Sequence, residues 1–446
     1  MLQSIINIQL IQVMPYTDAK GNSIARNEIF NISFCHSFEV YSTWKSLSDT
    51  ATIEIPKNVY VKDANNNNIL WGESTTPDKV NGYVSAGGFN NPQVSKAPLI
   101  MRGDEVYITA GYSYISKVNA DGSLVYSSAT NTIFHGFVSS LEAKSTLKIH
   151  CEDFMWLLKQ TAMLPKTYSA PNSDINDVLD DIVTNSNRVN NDYLITSNTG
   201  GFALSVNGFS TENETAAETL NRLKKILPSL SFYFRGAELR GGGIVYYPQD
   251  QSGGIDNNGK PLYNTFNFRQ NIISDELQYS LKGDVKVAAV CYSVNASAGI
   301  PATTNKMGGS QLFTTRYQTT VGIPTPARKI HSGGDVTPAP NPDDYEYYTF
   351  YFKDISNINA LQTQGQTYLN RYQYDGFRGK FNTFGLPFVE HGNIIYLTDD
   401  LMPERNGHYM VKGVRYSYDI DSGLRQDIEL HFRTDGLSSS QLEQGM

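Results

Sequence analysis

Glu390, His391 and His408 are the side chains of this 446-residue chain whose types best suit a transition-metal site. Carboxylate oxygen and imidazole nitrogen are both zinc ligands. A zinc protease places its two histidines four residues apart on one helix, and no such spacing is present here. His391 also stands at the start of a Gly-Asn turn. We therefore predict structural roles for these residues and assign no metal ligand.

Asp419, Asp421 and Ser422 resemble the start of a calcium-binding loop. A complete loop needs further oxygen ligands at fixed spacing, ending in a glutamate, and the residues that follow do not supply them. Aspartate and serine are also common in tight turns because their side chains bond to nearby backbone N–H groups. We predict a hairpin turn here, as for residues 121–123.

Glu152 and Asp153 form a carboxylate pair close to Trp156. Glycoside hydrolysis needs two carboxylates that face each other across a cleft, which adjacent positions do not provide. At the start of a helix, such a pair favours capping and the helix dipole. The chain also lacks a nucleophile-elbow, P-loop or HExxH motif. We predict no enzyme activity and assign no catalytic, cofactor-binding or metal-binding residue.

The segment 102–109 (RGDEVYIT) begins with a tripeptide, Arg102-Gly103-Asp104, that could serve as an adhesion ligand. The segment 391–398 (HGNIIYLT) has a similar pattern without that tripeptide. Both place glycine and then aspartate or asparagine before a β-branched residue and tyrosine. Glycine permits positive φ and Asp/Asn bonds to its own backbone, so the shared phrase predicts a turn that begins a strand.

The similarity continues beyond these octapeptides. Each is followed by a predicted hairpin and two strands, and LKIHC (147–151) aligns with IELHF (428–432), which sets His150 against His431. The pattern predicts two homologous tube-like β-barrels in one chain. Chance similarity between short β segments is the alternative.

The fold class expected from these patterns is mainly β with an α+β insertion. Amphipathic helices are predicted at 152–163, after Ser173-Asp174, from Thr211, and from Asp354 or Ser356. The expected domains are a first barrel at 1–151 with a long loop at 60–98, an α+β domain at 152–265, a second barrel at 266–436 with an insertion at 297–346, and a flexible tail at 437–446.

Composition narrows the functional classes. Charged residues make up 18% of the chain and the net charge is −8, without a basic run, so sequence-specific DNA binding is not expected. Three widely spaced cysteines, at positions 35, 151 and 291, predict buried thiols in a reducing compartment rather than a disulfide framework. The N-terminus has no positively charged segment typical of a signal peptide, and no stretch is apolar enough to predict a membrane span.

Three stretches together resemble the hub proteins of phage tails and baseplates. FEVYSTWKSLSDTATIEIPKN (38–58) has a strand, Trp-Lys and then D-T-A-x-I. FHGFVSSLEAKSTLKIHCEDFMWLLKQT (134–161) resembles the family's G-x-V … C-x-D-x-x-x-x-L transition from barrel to helix. Residues 379–432 resemble its closing G-x-P-x-V-x-x-G-(D/N) meander. The family includes the contractile-phage hub, the late-control tail protein and the N-terminal part of type VI secretion spike proteins.

The resemblance implies a homotrimer whose paired barrels make a pseudo-sixfold ring. Such a ring joins a hexameric tail tube, or a tube-initiating protein, to a threefold central spike or fibre. It further implies location in the virion tail after assembly in the host cytoplasm, no cofactor, no membrane insertion, and DNA only passing through the lumen. The tail type, contractile or not, stays open.

A second class remains open from the sequence. An all-β adhesin or carbohydrate-binding tail component could use the loops 60–98 and 297–346. Trp71, in the first loop, is the aromatic residue most expected to contact a partner. A secretion signal or a shaft-forming repeat would favour this class, and neither is recognisable.

Overall fold

The computed structural model describes residues 2–442 except 14, 18–20, 22, 25, 27–28, 33, 57–58, 63–67, 72–82, 86–95, 99, 119–123, 144–145, 170–172, 203, 205, 207, 227–228, 244, 258–259, 297–312, 324–341, 354 and 439–441. The side chains of 59–98 and most of the loop 297–346 also lie outside the described residues. Strands dominate the rest, which confirms the predicted mainly β class.

The elements fall into three consecutive parts. In the described residues, the first β unit contains β1 (Leu2–Ile11), β2 (Tyr16–Thr17), β3 (Ser23–Ile24), β4 (Ile29–Ile32), β5 (Ser37–Thr43), β6 (Thr50–Pro56), β7 (Val59–Lys62), β8 (Asn68–Trp71), β9 (Tyr83–Ser85), β10 (Lys96–Pro98), β11 (Glu105–Val118), β12 (Leu124–Ala143) and β13 (Thr146–Glu152). The middle unit contains α1 (Met155–Gln160), β14 (Lys166–Tyr168), α2 (Ile175–Val189), β15 (Thr196–Asn198), β16 (Phe209–Thr211), α3 (Ala216–Ile226), β17 (Ser231–Arg235) and β18 (Glu238–Gly242). The second β unit contains β19 (Asn264–Asn267), β20 (Ile272–Asp275), β21 (Gln278–Ser280), β22 (Val287–Ala296), β23 (Phe313–Val321), β24 (Glu346–Lys353), α4 (Ile358–Leu369), β25 (Gly376–Arg378), β26 (Lys380–Phe384), β27 (Ile394–Thr398), β28 (Gly407–Asp419) and β29 (Gly423–Arg433).

Alternation of apolar and polar residues explains the long strands. Along β13 and β29, every second side chain is buried, so each strand has one face on the core. The predicted hairpin between β11 and β12 is confirmed by the pairing of Val118 with Leu124, although its turn lies outside the described residues.

The two β units share one large sheet. Its strand order is β20–β26–β29–β28–β5–β6–β13–β12–β11–β1–β4–β7–β8, with β27 pairing with β28 and β19. The C-terminal half of β28 pairs with β5 and so joins the second unit to the first. The predicted arrangement of two homologous tube-like β-barrels is not confirmed.

One apolar core lies inside this sheet and belongs to both units. It buries Ile108 and Ile149 from the first unit together with Phe381, Ile395 and Ile428 from the second. Burial of each such side chain contributes about 1.5–3 kcal/mol. The two units are thus expected to depend on each other for stability.

The middle unit has its own core, formed where apolar faces of its helices meet β17 and β18. Asp174 caps α2 as predicted, and its carboxylate accepts the N–H groups of Asn176 and Asp177. Helix α3 begins at Ala216 rather than at the predicted Thr211. Thr215 and Glu218 bond to each other's backbone N–H there, which is the capping box that sets the start.

The described strands β22, β23 and β24 and helix α4 form a small α+β unit within the second β unit. Its sheet has the order β23–β22–β24 and packs against α4 around a separate core. Asn357 caps α4 by accepting the N–H of Ala360 at 2.8 Å. The prediction that Asp354 or Ser356 caps this helix is therefore wrong by three residues or by one residue, respectively.

The predicted flexible tail is packed where the structure describes it. Leu442 is 8% exposed and joins a cluster with Trp44, Tyr233 and Met410, against which Leu437 also packs. Among the described helices, none combines the length and apolar character that a membrane span requires.

Candidate functional site

The two turns predicted from the octapeptides have the same conformation. Gly103 has φ 93° and Gly392 has φ 79°, both in the left-handed region. The side-chain oxygens of Asp104 and Asn393 each accept the N–H of the residue three positions earlier, at 2.6 and 2.9 Å. The glycine and the Asp or Asn that both octapeptides contain therefore form the same turn at two places in the chain.

The strand that follows each turn is also held in the same way. The turn glycine donates its N–H to the carbonyl of Val138 in the first unit and of Val411 in the second. Each valine N–H donates in turn to the carbonyl of the residue after the glycine, Asp104 or Asn393, at 2.8 Å. The register of the following strand, β13 in the first unit and β29 in the second, differs from the register that the sequence alignment predicts. Val138 lies opposite Cys151, and Val411 lies opposite Leu430. The sequence alignment set Cys151 against Phe432, which is wrong by two residues because register shifts flank Val411.

Asp104 is unavailable to an adhesion receptor. Its side chain is 1% exposed and accepts both guanidinium N–H groups of Arg26, at 2.9 and 2.7 Å. Arg102 alone of the tripeptide is exposed. The structure therefore supports the turn interpretation over the adhesive one.

The three stretches that carry the family resemblance meet at one place, here called the junction. It consists of the β5–β6 turn (43–49), the start of the middle unit (153–156) and the second-unit turn (390–393). The rings of Trp44 and His391 lie 6.2 Å apart across it. Residues distant in sequence thus converge between all three units.

Two carboxyl groups, on Asp49 and Asp153, lie within the junction. The N–H of Asp49 donates to Asp153 Oδ2 at 3.1 Å, and the N–H of Asp153 donates to Asp49 O at 3.1 Å. Ser42 Oγ donates to Asp49 at 2.5 Å and Ser48 Oγ donates to Asp153 at 2.9 Å. Burial raises the pKa of Asp49 to about 6, and burial together with the Asp49 charge raises the pKa of Asp153 to about 8.

The predicted pair Glu152 and Asp153 is divided between two environments. Asp153 faces the junction and accepts the N–H of Met155 at 3.0 Å, close to its predicted role at the helix start. Glu152 pairs instead with Lys159 on the outer side. The carboxyl partner of Asp153 is Asp49, which sequence reasoning did not identify.

Arg235 is a cation whose charge acts on Asp49 and lowers its pKa. It donates to Glu390 Oε1 and to His391 O, both at 2.7 Å. His391 is fully buried, its Nε2 is 3.9 Å from Asp49 Oδ2, and neither ring nitrogen has a hydrogen-bond partner among the described residues. Burial, with the charges of Arg235 and Arg240, holds the pKa of His391 well below its usual value, so the imidazole is neutral.

A cavity of about 270 Å³ opens at the junction and is lined by Asp49, Asp153, Arg235, Glu390 and His135, among others. Carboxyl groups of unequal pKa beside a guanidinium occur at acid–base sites, but also in structural ion networks. Here both aspartates accept fixed N–H and O–H donors of the protein itself. This arrangement favours a structural role.

His408 does not join His391. Its Nδ1 lies 2.7 Å from Asp435, and its ring stacks on Tyr396 at 4.5 Å, away from the junction contacts of His391. No group of three or more metal-ligating side chains occurs in the part of the chain that the structure describes. The side chain of Trp71 lies outside that part.

The predicted turn at Asp419 is confirmed. Its carboxylate accepts the N–H of Asp421 at 2.9 Å and of Ser422 at 2.7 Å, and β28 pairs with β29 through Asp419 and Gly423. The bonds from Ser422 lower the pKa of Asp419. The residues therefore close a hairpin.

No protein-family model matches the chain, and no curated protein matches its sequence. Solved structures that it resembles over nearly its full length include phage tail proteins and a type VI secretion component, the classes of protein that the sequence resemblance names. They include the tail protein from Neisseria meningitidis MC58 (12% identity, 99% of both chains, TM-score 0.48) and the 43 kDa tail protein of prophage MuSo2 from Shewanella oneidensis (12% identity, 97% of this chain and 98% of that one, TM-score 0.46). A third is the E. coli c3393 protein, a type VI secretion component described as similar to the T4 tail proteins gp27 and gp5 (10% identity, 95% of this chain and 76% of that one, TM-score 0.42).

Proposed function

We propose that this chain is a non-enzymatic structural hub of a phage or phage-like tail or baseplate, and that it assembles as a homotrimer. The observation that carries the proposal is the repeated turn and strand unit, with Gly103-Asp104 and Gly392-Asn393 making equivalent backbone bonds. A chain that contains the same unit twice can present two similar surfaces. Three such chains around a threefold axis present six.

A ring of this kind solves a symmetry mismatch. Its six similar units suit a hexameric tail tube or tube-initiating protein on one side, while its true threefold symmetry suits a central spike or fibre on the other. The net charge of −8 agrees with a lumen through which DNA passes without binding. The proposed location is the virion tail, after assembly in the host cytoplasm.

Light scattering on the purified protein is expected to give three times the 49.6 kDa mass of one chain. Negative-stain images of the same peak are expected to show rings. A dilution series with and without the tail-tube and spike proteins tests for weak assembly. A monomer at high concentration, even with both partners added, would contradict the hub.

A second candidate function is binding of a polyhydroxylated ligand such as a glycan. The observation that favours it is a cleft of about 470 Å³ lined by Tyr263, Tyr396, His408, Lys260 and Asp435, among others. Aromatic rings beside charged and hydroxyl groups combine apolar faces with hydrogen-bonding partners, as ligand sites often do. This cleft is separate from the junction.

Tyr396→Ala is expected to weaken glycan binding at least tenfold, a loss of about 1.4 kcal/mol, if this candidate is correct. Calorimetric titration with host-surface oligosaccharides would measure it. Tyr347→Ala, at an exposed tyrosine of the small α+β unit, is the control. Equal affinity in both variants, or no binding to the unmodified protein, would remove the candidate.

A further inference from the structure

The junction contains more acidic than basic side chains. Two guanidinium groups beside the junction, on β17 and β18, already have partners: Arg235 bonds to Glu390 at 2.7 Å, and Arg240 bonds to both Asp250 and Glu238. Arg240 and Glu238 are 2.6 Å apart. Both arginines are therefore paired with carboxylates other than Asp49 and Asp153.

Neither aspartate of the central pair has a lysine or arginine within salt-bridge distance in the described part of the chain. Asp49 has only the neutral His391, at 3.9 Å, and Asp153 has hydroxyl and N–H donors. Two ionised carboxylates would thus lie together in a buried site without a cation of their own. Charge balance at such a site is restored most simply by a proton.

We propose that the junction is a proton-controlled clamp. Asp49 and Asp153 together retain a proton while the β5–β6 turn is closed on the start of α1, and release of this proton to water loosens that contact. The cavity beside the pair, where His135 is partly exposed, provides the path to solvent. The charges that act on Asp49 are those of Arg235 from β17 and Glu390 from the second-unit turn. His391 from the same turn lies 3.9 Å from Asp49, and His135 from β12, held by Glu105, lines the same cavity.

The direction of the pH effect follows from the raised pKa values, about 6 for Asp49 and about 8 for Asp153. A carboxyl with a raised pKa stabilises the folded state fully below its unfolded value of 3.8. That contribution is lost as pH rises through the folded values. The clamp is therefore fully closed only below about pH 4 and is progressively loosened between about pH 4 and pH 8.

Asp49→Asn separates charge from hydrogen bonding. The amide oxygen can accept the N–H of Thr43, as Asp49 Oδ1 now does at 3.1 Å, and the amide nitrogen can donate to Ser42 Oγ. The variant thus keeps the turn and removes the repulsion with Asp153. Cys151, two residues before Asp153 and 1% exposed, is a natural reporter of opening.

The experiment measures the rate at which a small thiol reagent labels Cys151 in the full chain. Comparison of the unmodified protein with Asp49→Asn at the same pH cancels the pH dependence of the reagent. We expect a rate ratio near one at about pH 4 and of at least about ten at about pH 9, the unmodified protein being faster, since each unit by which folding raises a pKa corresponds to a tenfold factor. Cys291, buried in the separate core of the small α+β unit, should keep a ratio near one throughout.

Asp275→Asn, at an exposed carboxylate, is the matched control and should behave as the unmodified protein. If Asp49→Asn does not fold, Glu390→Gln provides a second variant, because the Glu390 charge adds to the repulsion on Asp49. Its labelling near pH 9 should also be slower than that of the unmodified protein. A pH-independent ratio for the variants, or equal acceleration at Cys151 and Cys291, would overturn the clamp.

Discussion

Asp104→Ala is expected to lower the free energy of unfolding by about 3–5 kcal/mol, as the removal of one partner of a buried ion pair does. The carboxylate and the Arg26 side chain are each 1% exposed and share two bonds. The same carboxylate accepts the N–H of Met101 at 2.6 Å and of Val13 at 3.2 Å. Truncation removes all four bonds and leaves the Arg26 charge buried without this counter-ion. Urea unfolding monitored by fluorescence gives the change.

Two controls identify the cause. Arg102→Ala changes the exposed residue of the same tripeptide and is expected to alter stability by no more than about 0.5 kcal/mol. Asp104→Asn introduces the residue that the second unit has at Asn393, so it should keep the turn bond and lose only the ion pair. An intermediate loss is expected for it. Equal losses for Asp104→Ala and Arg102→Ala would show that the ion pair does not stabilise the fold.

This comparison also separates a structural tripeptide from an adhesive one. An adhesive tripeptide must offer both its arginine and its aspartate to a receptor, whereas here the aspartate is bonded to Arg26. The sequence already favours a turn over an adhesion ligand, because the second octapeptide has the Gly-Asn pair but no arginine at the position of Arg102. The physical reason, a buried ion pair across 78 residues, appears only in the structure.

Features set by local chemistry were predictable. The alternation of apolar and polar residues predicts the strands β13 and β29, and Asp174 predicts the start of α2. The Gly-Asp and Gly-Asn pairs predict both turns. Each depends on residues within a few positions of each other. Where two local caps competed, as at Thr211 and Thr215, the residue with a partner three positions later, Glu218, determined the helix start.

Features that depend on distant contacts were not predictable. The pairing of β28 with β5 joins segments on opposite ends of the chain, and either strand would satisfy its alternation equally well at a sheet edge. For the same reason, the sequence around Asp49 does not predict that Asp49 contacts Asp153. It lies in the D-T-A-x-I stretch of the sequence, but only the complete fold brings the two carboxyl groups together.

Gly392→Ala is the second substitution with a large expected effect, a loss of roughly 3 kcal/mol or more in the free energy of unfolding. Two physical causes add. At φ 79° any residue other than glycine is strained, and a Cβ at this position would lie 2.5 Å from the carbonyl oxygen of Val245. Because that oxygen is backbone, the second-unit turn and the segment after β18 would have to separate. Thermal or urea unfolding of the full chain measures the total.

Gly436→Ala isolates the first of these causes. Gly436 has nearly the same φ, 81°, but nothing lies within 4 Å of an added Cβ, so only strain of about 1–2 kcal/mol is expected. The difference between the two variants then measures how tightly the turn at Gly392 is held against Val245. A difference near zero would mean that the two segments separate at little cost. A difference of about 2 kcal/mol would mean that the turn which begins β27 is also fixed from the middle unit, so that the junction is stabilised by packing as well as by charge.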